Sequence, residues 1–181
     1  QSTAKNPKYP DPQPLPIPVA MALFDRASGA VQQEQVLMLD QAEQGYVFEK
    51  LSAAPVLSLL RDFSAPVRLD VDYSDADLAF LVQHETNGFN QWQAAQLLLE
   101  RILLDQHPVD HWLAAMQAVL PRLADRDPLL ASRLIEVPSE NALASRIDRD
   151  YDPDVLGEHR DALLNKLAEV LRDFWPQAYA A

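Results

Sequence analysis

The sequence has no cysteine among its 181 residues. Disulfide frameworks, zinc ribbons, thiol catalysis and thiol redox chemistry are excluded together, and a reducing compartment, the cytoplasm, is the expected location. Glycine is almost as scarce. Its four residues stand apart from one another, so no Gly-rich loop is available to cradle a phosphate. Positive charge is in deficit, with 15 Lys and Arg against 27 Asp and Glu and a formal net charge of -12. That balance argues against nucleic acid and against an anionic membrane surface as partners. An acid excess can draw cationic groups such as peptide amino termini, but its ordinary effect is solubility. No apolar run approaches the ~20 residues that cross a bilayer, and Gln1 to Pro18 holds no stretch like a secretory leader. The chain also begins without methionine, which suggests a piece cut from something longer.

What is present is ample apolar material, 48% of residues, written in two periodicities. Ile17, Val19, Met21 and Leu23 alternate up to an Asp25-Arg26-Ala27-Ser28-Gly29 turn, the pattern of a half-buried strand entering a hairpin. Val36 to Leu39 continues it. Tyr46-Val47-Phe48 and the run opening at Pro55-Val56 read as further short strands. Val67, Leu69, Val71 and Tyr73, alternating with Arg68, Asp70 and Asp72, give the clearest strand pattern of all. From Ser74 the spacing changes to threes and fours. Ser74 with Asp77 forms a capping pair ahead of Leu78, Leu81 and Val82. A second helix starts near Asn90 and presents Trp92, Ala95, Gln96, Leu99, Ile102 and Leu103. A third begins near Pro108 and Asp110 and carries Trp112, Ala115, Met116 and Val119, with Pro121 expected to end or kink it. Asp127-Pro128 and Ser139-Glu140 open two short helices. Asp152 caps the last and longest, Pro153 takes its first position, and Leu156, Leu163, Leu167, Val170 and Phe174 form its stripe up to Trp175-Pro176.

Candidate chemistry is thin. His107 and His111 stand four apart, a spacing by which two imidazoles on one helical face can hold zinc. Pro108 between them belongs at a helix start, which puts His107 outside the helix, and the glutamate of a zinc-peptidase motif is missing. His84-Glu85 matches the first half of a His-Glu-x-x-His motif, but Thr86, Asn87 and Gly88 follow and no second ligand does. Asp70, Asp72, Asp75 and Asp77 could bind calcium; solvated charge and helix-dipole stabilisation are the favoured account of them. Pro10, Pro12, Pro14, Pro16 and Pro18 could form a polyproline ligand, or hold an extended edge segment. Trp92, Trp112 and Trp175 sit at apolar helical positions and read as packing residues. No catalytic, cofactor-binding or metal-ligating residue can be assigned.

Several phrases together resemble aminopeptidase N of the bacterial and plant type, a gluzincin metallopeptidase family. They are Gln41-Ala42-Glu43-Gln44 leading into Val47-Phe48, Phe63-Ser64-Ala65-Pro66-Val67, and Gly88-Phe89-Asn90-Gln91-Trp92-Gln93-Ala94-Ala95-Gln96 preceded by His84. Pro138-Ser139-Glu140, Asp152-Pro153-Asp154 and His159-Arg160-Asp161-Ala162-Leu163 follow in the same order. Gln91 stands where that family usually has arginine. The resemblance implies an α+β chain with its classes segregated. An incomplete immunoglobulin-like antiparallel β-sandwich over residues 1–72 would be followed over 73–181 by an irregular helical array, the start of an α-superhelix. It implies a parent enzyme that removes amino-terminal residues from peptides with a zinc-bound water, and a present chain that lacks the zinc domain, needs no cofactor and cleaves nothing. The expected partner is the catalytic domain of the same polypeptide, with peptide substrates reached only in the full-length parent. An immunoglobulin-like sandwich needs about seven strands in roughly 100 residues, whereas five are read here. The exposed sheet edge that this shortfall implies would favour a homodimer. The alternative is a self-standing interaction module of β-sandwich plus helices.

Overall fold

The structure is a computed structural model that describes residues 1–2, 13–144 and 152–172. The chain divides into two compact units, Gln1–Val71 and Asp72–Ala181.

In the first unit β1 (Ile17–Phe24), β2 (Val31–Leu39) and β3 (Val56–Leu59) form an antiparallel sheet in the order β2-β1-β3. β1 pairs with β2 from Ile17 opposite Leu39 to Leu23 opposite Gln33, and the register shifts at Phe24. Being central, β1 buries consecutive residues, Met21, Ala22, Leu23 and Phe24, where its sequence pattern shows only alternation. Pro18 sits in this strand without breaking the β1–β2 ladder. It shares the parity of Ala20, whose N–H points away from β2 and donates to Ser64 Oγ at 3.0 Å.

The β1–β2 turn is closed by Asp25. Its Oδ1 accepts from the backbone N–H of Ala27 and Ser28 and from Ser28 Oγ, while Oδ2 accepts from Ser52 Oγ and Gln32 Nε2. The Ser52 hydroxyl first, then Ser28, hold this carboxyl down at about 2. Gly29 takes the left-handed φ of 71° that the turn requires. After β3 the backbone turns left-handed at Leu60, Asp62 and Phe63. Arg61 is buried between them and pairs with Glu34 of β2.

Two expected strands are not strands. Val67 to Tyr73 keeps its period-two burial, half-buried odd residues against exposed even ones, yet no ladder forms along it among the described residues. Tyr46-Val47-Phe48 lies beside β2 and is tied to it through side chains. Among the described residues the sheet therefore has three strands, where the sequence suggests five.

The second unit contains α1 (Asp75–His84), α2 (Gly88–Asp105), α3 (Asp110–Ala124), α4 (Pro128–Leu134), α5 (Glu140–Ala144) and α6 (Pro153–Val170). Ser74 and Asp77 form a reciprocal capping box on α1. Asp127 and Asp152 cap α4 and α6, each ahead of a proline in the first turn. α2 starts earlier than Asn90, because Asn87 accepts from the Asn90 N–H and serves as the cap. It matches α6 in length, 18 residues each. α1 packs on α2 and α3, and α4 closes over the same two helices. Leu78, Val82, Leu98, Leu99, Leu103, Trp112, Met116 and Leu120 make the core. α6 contributes Leu156, Leu163 and Leu167.

Pro121 does not end α3; the helix runs on to Ala124. Its missing N–H orphans the carbonyl of Gln117, and both residues are exposed, so water can satisfy that group. Trp92 is only half-buried and stacks at 5.9 Å on the exposed Phe89. Pro10, Pro12, Phe174 and Trp175 lie outside the described residues.

Candidate functional site

The sequence places its most suggestive acids and histidines around α1 and the ends of α2, and the structure shows what each one holds. Asp75, in the first turn of α1, accepts from Arg101 Nη1 at 2.9 Å and from His107 Nδ1 at 2.7 Å. The same Arg101 nitrogen donates to the Tyr73 carbonyl at 2.7 Å. Burial works against the Asp75 charge, but the hydrogen bonds from Arg101 and His107 outweigh it and lower its pKa. This triad stitches the start of α1 to the last turn of α2. Asp77 is committed to the cap, and Asp70 and Asp72 are exposed. The four acids therefore do not converge.

At the other end of α1 the helix offers carbonyls that no residue within it can satisfy. Leu81 O accepts from the Glu85 N–H, Val82 O from Gln91 Nε2 at 2.6 Å, and Gln83 O from Arg122 Nη2 at 2.9 Å. Glu85 is buried and its Oε1 accepts from the N–H groups of Thr86 and Asn87, shaping the α1–α2 turn. His84 packs against the Phe80 ring at 4.5 Å. Its pKa is lowered, by burial first and then by the charge of Arg122. Tyr73 is pushed up to about 12 by burial and by Glu85 and Asp77, so it stays a neutral phenol.

His107 follows the left-handed Gln106 that ends α2, while His111 is exposed on α3. The structure brings His107 together with His159 instead. Both line a shallow cleft of about 340 Å³ with Gln106, Asp110 and Lys166 on its rim. Nδ1 of His159 lies 3.4 Å from the Leu103 carbonyl. Spacing along the chain could not show this shared cleft, because 52 residues and the whole of α3, α4 and α5 separate the two histidines. Among the described residues, no three His, Asp or Glu side chains are grouped to hold a metal ion. The polar groups around α1 instead satisfy helix ends and tie helices to one another. No helix among the described residues is long and apolar enough to cross a membrane.

Comparison with known proteins gives this arrangement its family. The Ig-like fold described as Domain of unknown function (DUF3458) matches residues 1–72, and the ARM repeats described as Domain of unknown function (DUF3458_C) match residues 75–181. Aminopeptidase N of Escherichia coli strain K12 is 37% identical over 192 residues, covering 96% of this chain and 22% of that protein. Aminopeptidase N of Caulobacter vibrioides is 33% identical, covering 85% and 18% respectively. A crystal structure of Legionella pneumophila aminopeptidase A in complex with aspartic acid superposes with a TM-score of 0.76 at 32% identity. It covers 90% of this chain and 20% of that one. The chain thus spans about a fifth of the length of these relatives. It belongs to the DUF3458 family, as an Ig-like sheet followed by an ARM-like helical array, and corresponds to the stretch of aminopeptidase N that carries those two domains.

Proposed function

We propose that this chain is a non-catalytic supporting part of a zinc-dependent, cytoplasmic aminopeptidase N, and that its partner is the catalytic domain of the same polypeptide. The observation that carries the reading is coverage: 96% of this chain aligns with 22% of an aminopeptidase N. The match runs across both units in one polypeptide order, which favours a part of a larger enzyme over a self-standing module. The surroundings of the described histidines favour this reading over a zinc site within the chain. His107 is engaged by Asp75, His84 is packed on Phe80, and His111 is exposed on α3. In this reading the metal, and the water it activates for peptide hydrolysis, belong to the parent's catalytic domain.

The helical array would brace that domain and wall the route by which peptides reach it. The test compares three proteins with an amino-acyl p-nitroanilide substrate and added zinc: this chain, the whole parent, and the parent lacking the helical array. The expected result is no turnover by the chain, turnover by the parent, and reduced stability or altered peptide-length preference on deletion. Turnover by the chain itself would overturn the reading. Light scattering of the chain adds a separate check on the homodimer expected from an incomplete sheet, since a monomer at all concentrations removes that partner.

A further inference from the structure

The segment after β2 follows it back in an antiparallel register without joining the sheet. Tyr46 Oη donates to the Met38 carbonyl at 2.5 Å, Gln33 Nε2 donates to the Glu49 carbonyl at 2.7 Å, and the Ser52 N–H donates to Gln32 Oε1 at 3.1 Å. Residue numbers facing one another sum to about the same value at both ends, as in a hairpin ladder. Every one of these bonds uses a side chain, and no backbone ladder joins the two segments. The reversal itself is closed by Gln44 Oε1, which accepts from the Asp40 N–H at 3.1 Å.

Ladder parity shows what lies between. The odd residues of β1 face β2 in hydrogen-bonded pairs, and the parity of Ala20 points away. The partners of the even residues, Glu34, Val36 and Met38, therefore turn their main-chain groups outward from the sheet. Met38 O is the one Tyr46 covers. Val36, more than half exposed, sits in the gap between the two ties. On the strap, Phe48 falls opposite Val36 and Lys50 opposite Glu34, whose carboxylate is already held by Arg61. Tyr46-Val47-Phe48 is also a run of strand-favouring residues.

We propose that Tyr46–Lys50 is an unzipped fourth strand, poised to close onto β2. Closure replaces the side-chain ties with main-chain bonds exchanged between Val36 and Phe48. It covers an edge that no other strand pairs with among the described residues. The left-handed φ of 64° at Lys50 marks where the zipper stops.

Amide hydrogen exchange on the chain as it stands tests this residue by residue. The zipped strand protects alternate amides: Phe48 and Val36 exchange at least about tenfold more slowly than an unstructured reference, whereas Val47, pointing away from β2, exchanges freely. Leu37, bonded to β1, reports that the sheet itself is intact. Phe48→Pro removes a ladder donor and should deprotect Val36 while Leu37 stays protected; Val47→Pro should leave Val36 protected. If Phe48 exchanges as fast as Val47 in the natural chain, the strap never zips and the proposal is wrong.

Discussion

Replacing Gln91 by leucine removes one hydrogen bond and little else. Gln91 is 5% exposed and its amide donates to the Val82 carbonyl, one of three carbonyls at the end of α1 that need partners from outside the helix. Leucine fills similar space but offers no donor. The carbonyl would then be buried and unsatisfied, a condition that costs about 1–3 kcal/mol. With a urea m-value of about 2 kcal/mol/M, a 2 kcal/mol loss moves the unfolding midpoint of the helical unit down by about 1 M. Gln91→Glu should be worse at neutral pH. A carboxylate cannot donate, and it would face the negative end of α1. Its defect should shrink as the pH falls and the acid takes up the proton that lets it donate. Urea titrations followed by far-ultraviolet circular dichroism, at pH 7 and pH 4.5, separate the two variants. A leucine variant within about 0.2 M of the natural chain, or a glutamate variant no worse than leucine, would refute the idea that this amide caps α1.

The Asp25 carboxyl is held at about 2, below its ordinary 3.8. Because the folded value is depressed, its contribution is fully present above about pH 4 and is lost as pH falls through about 2. The sheet should lose stability over that window, and Asp25→Asn should flatten the loss in an acid titration. Ser74→Ala breaks the capping box and should cost about 1 kcal/mol, read as a lower urea midpoint for the helical unit. Leu98→Ala, at a position with no exposed surface, should cost about 2–5 kcal/mol in the same assay, while Leu129→Ala, largely exposed, should change it little.

The helical array was legible because its signals are local. Ser74 with Asp77, Asp127-Pro128 and Asp152-Pro153 carry their own cap chemistry within four residues, and the structure uses all three. β1 was legible for the same reason, with its alternation ending at the Asp25 turn. The misread strands failed at the step that sequence does not encode locally. Val67 to Tyr73 has the pattern of a strand, but pattern sets which residues face inward, not whether a partner backbone is in reach. Trp92 has helical spacing with the buried Leu99, yet lies at the edge of the buried face and stays partly exposed. The Asp75–Arg101–His107 triad was invisible because its members come from two helices and a loop, 26 and 32 residues apart. The spacing that suggested His107 with His111 said nothing of Asp75, the partner that His107 takes.

The hydrogen bond from Arg101 to the Tyr73 carbonyl has a mechanical meaning. The helix proper begins at Asp75, but the incoming chain is already fastened to α2 one residue before the Ser74 cap. A tug on that incoming chain therefore loads α2 as well as α1, and the first turn of α1 does not peel until a charge-assisted bond across two helices has given way. A cut made at Ser74 would keep the cap and lose the anchor.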